Sequence, residues 1–388
     1  MSPPRIIIPL REPSHDYAGS VMLASGHRPF FLMAALAAAG LLPLWLVAWS
    51  GYLPLNASWH GHEMVFGFAA AAIGGFLMAA VPKWTNCPPI TGRRLLLMIG
   101  LYLAGRIGML AGHGLDWADV LFLPVLAIFI LADIHRVRNK RNYQIPAMLF
   151  LLTGLNIAWH IGYPQALWAG IYLIAGLIAL IGGRIVPAFT QSGLRMVGLR
   201  LDVSTPVWLD RAAVPAVLAV VVAEVMAPLS SSWGPLVSGL TALVAGLLLL
   251  LRMAGWQTRH TFRVPLVWIL HAGYVWVPIG FLLKAAADLG NWVMPTAALH
   301  ALTTGAIGVM ILAVASRAAL GHSGRPLVPS RWTVLAYGLV LAAAILRVAV
   351  PYSHGVLASG VLWTLGWGLF AVVYWPILTR PRSDGLPG

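Results

Sequence analysis

The sequence predicts an all-α polytopic membrane protein, a bundle of twelve transmembrane helices with both termini in the cytoplasm. Apolar stretches of about 20 residues, enough for a helix to cross roughly 30 Å of hydrocarbon, recur from Pro29 almost to the C-terminus. Only 9% of the 388 residues are charged and 60% are hydrophobic, too polar-poor to coat a water-soluble globule of this length. Strands of roughly 10 alternating residues, the mark of a membrane barrel, do not appear. The third observation is where the basic residues stand.

Taken in order, the spans are expected at residues 29–50, 59–82, 94–112, 118–135, 144–162, 165–187, 209–227, 234–252, 264–287, 295–317, 332–350 and 356–379. Arg5, Arg11 and Arg28 precede the first span, and Lys83, Arg93 and Arg94 separate the second from the third. Arg136, Arg138, Lys140 and Arg141 follow the fourth; Arg184, Arg195, Arg200 and Arg211 surround the end of the sixth. Arg252, Arg259 and Arg263 then lie after the eighth, Arg317, Arg325 and Arg331 after the tenth, and Arg380 and Arg382 in the tail. All but three of the 25 lysines and arginines therefore fall on one side, which the positive-inside rule makes cytoplasmic. Tryptophans at span ends, among them Trp49, Trp59, Trp84, Trp159, Trp292 and Trp375, suit an interfacial belt.

Residues 1–28 read as a cytoplasmic N-terminal segment and 380–388 as a cytoplasmic tail, with no linker dividing residues 1–388 into further domains. No cleavable signal is evident before the first span. The net charge of +14 is explained by topology, so nucleic acid is not an expected partner; the lipid bilayer is. A single cysteine, Cys87, excludes a disulfide framework, a thiolate-held iron–sulfur cluster and covalent haem attachment. Any metal must be held by histidine, methionine or carboxylate.

Three cations break the charge pattern: Arg106, Lys284 and Arg347, all in the outer half of their spans. Lys284 is expected to snorkel to the outer interface on its long stem. Arg106 lies deeper and needs an anion, for which Glu63, Glu224, Asp119 or a ligand carboxylate are the candidates.

The twelve histidines sort by depth. His60, His62, His113, His160, His300 and His354 fall at or just below the outer face, whereas His15, His27, His135, His260 and His322 lie near the cytoplasmic one. The segment Trp59–Trp84 gathers His60, His62 and Glu63 at its mouth, with the small-residue run GFAAAAIGG below them. Two residues apart on a helix, His60 and His62 point about 200° apart, so they serve different partners. His300 opens the tenth span above Thr303, Thr304, Gly305 and Gly308, at a depth comparable with His62. A haem between His62 and His300, its propionates turned outward toward Arg106 and Arg347, accounts for these residues together. Interfacial histidines bonded to loop carbonyls, with the small residues serving helix packing, are the plainer alternative. His271, three residues before Tyr274, offers either a second metal site or a hydrogen-bonded pair. Near the inner face, GGRIVPAFT and SRAALGHSGRP read as a kinked helix end and an arginine-bearing loop.

The motifs WHGHEMVFGF, AVPKWT, GGRIVPAFT, LHAGYVW and ALHALTTGAIGVMILAVASRAALGHSGRPL resemble those of the NnrS family of bacterial inner-membrane proteins, in the same order. That resemblance implies a twelve-span protein of the inner (cytoplasmic) membrane that binds haem b and copper. It also implies a role in the nitric oxide response, often beside denitrification genes, and in relief of nitrosative stress. The matching motif histidines are His60, His62, His271, His300 and His322, without a division between haem and copper. A twelve-span chain with histidines on its second and tenth helices is also similar, at fold level only, to haem–copper oxidases. It lacks their paired histidines, which argues against copper-dependent oxygen reduction.

The residues thus favour a haem protein that binds or turns over nitric oxide, an oxidoreductase if it turns it over. A transporter is a second class, but carboxylates within spans are few, Glu63, Asp133 and Glu224. A sensor or metal-handling scaffold would use the same histidines.

Overall fold

The computed structural model describes residue 17 and residues 19–112, 114–229 and 233–385. His15 and His113, with Arg5 and Arg11, lie outside the described residues. Among the described residues eleven helices are long and apolar enough to cross a membrane: α1 His27–Trp49, α2 Ala57–Thr85, α3 Gly92–Ala111, α4 Leu115–Arg136, α6 Gln165–Met196, α7 Val207–Leu229, α8 Gly234–Met253, α9 Pro265–Gly290, α10 Pro295–His322, α11 Arg331–Ala349 and α12 Ser353–Thr379. Between α4 and α6 lies α5, Gln144–His160, at 17 residues. Among the described residues there is no strand, as expected where every backbone group must be satisfied within a span.

Burial divides the bundle into a centre and a rim. The apolar windows of α2 and α6 are 78% and 83% buried and those of α9 and α10 are 61% and 67%, whereas the other long helices stand at 33–39%. A helix that is apolar all round can be buried all round. His60, His62, His271 and His300 sit on three of these four central helices, so burial alone separates them from ordinary interfacial residues.

The start of α1 and the end of α12 meet on one face. Nη1 of Arg28, at the start of α1, donates to the carbonyls of Leu378 (2.9 Å) and Arg380 (2.8 Å) at the end of α12. Those carbonyls have no partner within their own helix, and a guanidinium satisfies them.

Three local expectations change. Lys284 does not snorkel: it is 4% exposed and its Nζ donates to Glu224 (2.8 Å) and Asp288 (2.9 Å) above the Tyr172 ring. Two carboxylates within reach make burial cheaper than extension to the interface. GGRIVPAFT is no helix end, because α6 runs through Pro187 to Met196. SRAALGH likewise lies inside α10, and Arg317 stacks on Phe189 at 4.0 Å, joining the two motifs.

Both α2 and α10 open into π-helical turns just below their histidines, at Glu63–Ala69 and Ala301–Gly308. Such turns insert an extra residue into the helix and concentrate at functional sites.

Candidate functional site

Toward the end of the bundle opposite the Arg28–Arg380 contact lie two adjoining sites, one on each side of α2. The first is a cavity of about 450 Å³, within the roughly 300–1,000 Å³ of small-molecule pockets. Its polar lining includes His60 of α2, Thr296, His300, Thr303 and Thr304 of α10, Arg347 of α11 and Ser359 of α12, beside the thioether of Met64. Indole rings of Trp45 and Trp363 form part of the wall, and Trp45 stacks on His60 with ring centroids 5.1 Å apart.

The lining is prepared for a ligand. His300 Nδ1 lies 2.7 Å from the carbonyl of Thr296, one turn earlier, so the ring donates its Nδ1–H and leaves Nε2 with a lone pair. His60 Nδ1 and Arg347 Nη1 are buried without a hydrogen-bond partner. A buried guanidinium nitrogen without an acceptor is costly in a membrane, and a carboxylate in the cavity would relieve it. The π-helical turn of α10 carries Thr303, Thr304 and Ile307 into the lining, while Gly305 of the same turn, outside the cavity, accommodates Trp276 of α9 so closely that a Cβ would lie 2.6 Å from its indole.

The second site is a buried polar cluster between α2, α3, α4 and α5. Arg106 meets the carboxylates of both Glu63 and Asp119, Glu63 at 2.5 Å. His62 Nε2 lies 3.0 Å from Asn156 Oδ1 and 3.2 Å from Asp119 Oδ2, while its Nδ1 is 3.4 Å from Glu63 Oε1. Asn156 Nδ2 donates to Asp119 Oδ2 at 2.7 Å, which fixes the amide with its oxygen toward His62. His160 completes the group, stacked on Trp117, with Nδ1 3.4 Å from Asp116 Oδ2 and Nε2 3.9 Å from Asp119 Oδ2. Glycine makes the packing possible: a Cβ on Gly105 would come within 2.7 Å of Asp119 Cα, and one on Gly67 within 3.0 Å of Arg106 Nη1.

The residues singled out from the sequence thus separate. The opposed directions of His60 and His62 place them in different sites, and it is His60, not His62, that shares the cavity with His300 and Arg347. Arg106 faces Glu63 and Asp119 rather than the cavity. His271 sits elsewhere, between Thr190 Oγ1 (2.7 Å from Nε2) and Thr258 Oγ1 (2.9 Å from Nδ1). Because Thr190 spends its hydrogen on the carbonyl of Val186, it accepts from His271 Nε2–H, and Thr258 donates to Nδ1. Both ring nitrogens are therefore occupied. Tyr274 does not bond His271; Arg252 Nη1 donates to its hydroxyl at 3.2 Å. His322 ends α10 and packs against His27 at a centroid distance of 4.8 Å. It stands 22 residues, about 33 Å of helix, from His300.

Sequence reasoning missed Asn156. The signal for it is the i,i+4 spacing of Asn156 and His160, which places both on one face of α5.

The comparison with curated proteins found no match. The family described as NnrS protein matches residues 21–382, nearly the whole of the 388-residue sequence, and this chain belongs to the NnrS family.

Proposed function

We propose that the protein is a haem-binding membrane protein of the nitric oxide response, with haem b in the cavity between His60 and His300. The observation that carries this reading is the cavity's combination of a histidine whose Nε2 keeps a lone pair, a second histidine with a buried, unpartnered Nδ1 and an arginine with a buried, unpartnered Nη1. His60 and His300 would serve as iron ligands, and Arg347 would pair with a propionate. Haem held there would supply an iron to which nitric oxide could bind in exchange for one of the two histidines. Thr303 and Thr304 give the same cavity hydroxyls for a polar diatomic ligand. The apolar walls, Phe68, Trp363 and Ile307 among them, exclude water while admitting a small gas that partitions into lipid. The NnrS family supports the nitric oxide link and a metal cofactor. The distribution of arginines supports an inner-membrane orientation with the cavity toward the outside.

The test is the absorption spectrum of purified protein before and after reduction and addition of nitric oxide. A Soret band that nitric oxide shifts, and that H60A and H300A each weaken or displace while H62A does not, is the expected result. Absence of a Soret band from wild-type protein expressed with ample haem would overturn it. A band indifferent to nitric oxide would leave a haem protein of electron transfer or metal handling.

A further inference from the structure

We infer that His62, Asp119 and His160 form a mononuclear site for a divalent transition-metal ion, separate from the His60–His300 cavity. One ligand atom from each lies within 4.8 Å of the others. Two ligands bonded at about 2.1 Å to one ion stand at most about 4.2 Å apart, so side-chain movements of less than an ångström close the set. Two imidazoles and one carboxylate match the donor preference of divalent iron, copper and zinc.

The hydrogen bonding around His62 requires a cation. Its Nε2 faces two acceptors, Asn156 Oδ1 and Asp119 Oδ2, and its Nδ1 faces a third, Glu63 Oε1. A neutral imidazole has one N–H, so one nitrogen would point its lone pair at an oxygen. With a metal on Nε2, Nδ1–H donates to Glu63, the carboxylate–histidine arrangement that orients metal ligands, and Asn156 Oδ1 stands beside the ion. His160 offers a second donor: its side chain is 0% exposed, and its ring nitrogens, 3.4 Å from Asp116 Oδ2 and 3.9 Å from Asp119 Oδ2, make no well-aligned hydrogen bond.

The charges agree. Glu63, Asp116 and Asp119 set three negative charges against the single guanidinium of Arg106 in this cluster. Glu63 and Asp119 are 1% and 4% exposed, whereas Asp116 is 32% exposed, so solvent screens only part of the excess and a cation at the buried carboxylates offsets the rest. Arg106 then belongs outside the ligand set, tying together the carboxylate that orients His62 and the one that would bind. The competing arrangement protonates both histidines and places no ion.

Copper(II) binding discriminates between them. Protein cleared with a chelator is titrated with copper(II) and examined by electron paramagnetic resonance and elemental analysis. One tightly held equivalent, with superhyperfine coupling to two nitrogens and able to displace zinc(II) loaded beforehand, is expected. H160Q and D119N should each lose that equivalent. Asp119 also holds Arg106, so H160Q carries the argument should D119N fold poorly. H300A should retain the copper while losing the wild-type Soret band, and H160Q the reverse, so this site and the haem reading fail separately. Wild-type protein that takes up no copper(II) or zinc(II), or H160Q that binds copper like wild type, would overturn the proposal and leave an ion-pair network.

Discussion

Arg106 is the most sensitive probe of the buried cluster. Its guanidinium serves two carboxylates, Glu63 and Asp119, whose side chains are 1% and 4% exposed. Replacing it with methionine keeps most of the volume and removes the charge. Stripping one partner from a buried pair costs about 3–5 kcal/mol, because the remaining charge stays desolvated. At 1.4 kcal/mol per factor of ten, that is roughly two to three and a half orders of magnitude in the folding equilibrium. Adding Glu63→Gln removes one stranded charge while keeping an acceptor for His62, so E63Q/R106M should recover about 0.5–3 kcal/mol of the loss. The assay is denaturant unfolding of purified protein in detergent, followed by tryptophan fluorescence, for wild type, both single variants and the double. The Soret band of whatever R106M folds should remain where wild type has it, since Arg106 is turned away from the His60–His300 cavity. R106M as stable as wild type would refute the burial argument. A double variant no better than R106M would refute the charge accounting, and a displaced Soret band would return Arg106 to the haem.

Two further changes test buried polar groups elsewhere. Lys284→Met strands Glu224 and Asp288, and unfolding should show a loss of about 3–5 kcal/mol that Glu224→Gln partly restores. An exposed, snorkelling lysine would show at most about 1 kcal/mol on the same measurement. Thr190→Val removes the acceptor of His271 Nε2–H while preserving shape, and should cost about 1–3 kcal/mol with an unchanged Soret band. A spectral change in T190V would mean that His271 is linked to the haem after all.

The membrane spans are legible from sequence because the constraint is local. A helix of sufficient apolar length satisfies its own backbone in lipid whatever surrounds it, so length and hydropathy are enough. Even there, tertiary packing moved the edges: α6 continues over Pro187 because central burial supplies neighbours that hold the kinked turn together. The 200° between His60 and His62 is likewise helix geometry, and it correctly demanded two sites.

Which site each histidine joins is a question of helix rotation, and rotation is set by neighbours distant in sequence. Asp119 and Asn156, contributed by α4 and α5, draw the cluster together on the side of α2 that carries His62, leaving His60 to face α10 and α11. Lys284 shows the same dependence: its stem length permitted snorkelling, and only the approach of α7 with Glu224 kept it buried. The sequence by itself determined an all-α membrane bundle and the opposed directions of two neighbouring histidines. Only the tertiary structure decided which buried charges meet, because the cost of an uncompensated charge in lipid is relieved by contacts between helices, and no local pattern specifies them.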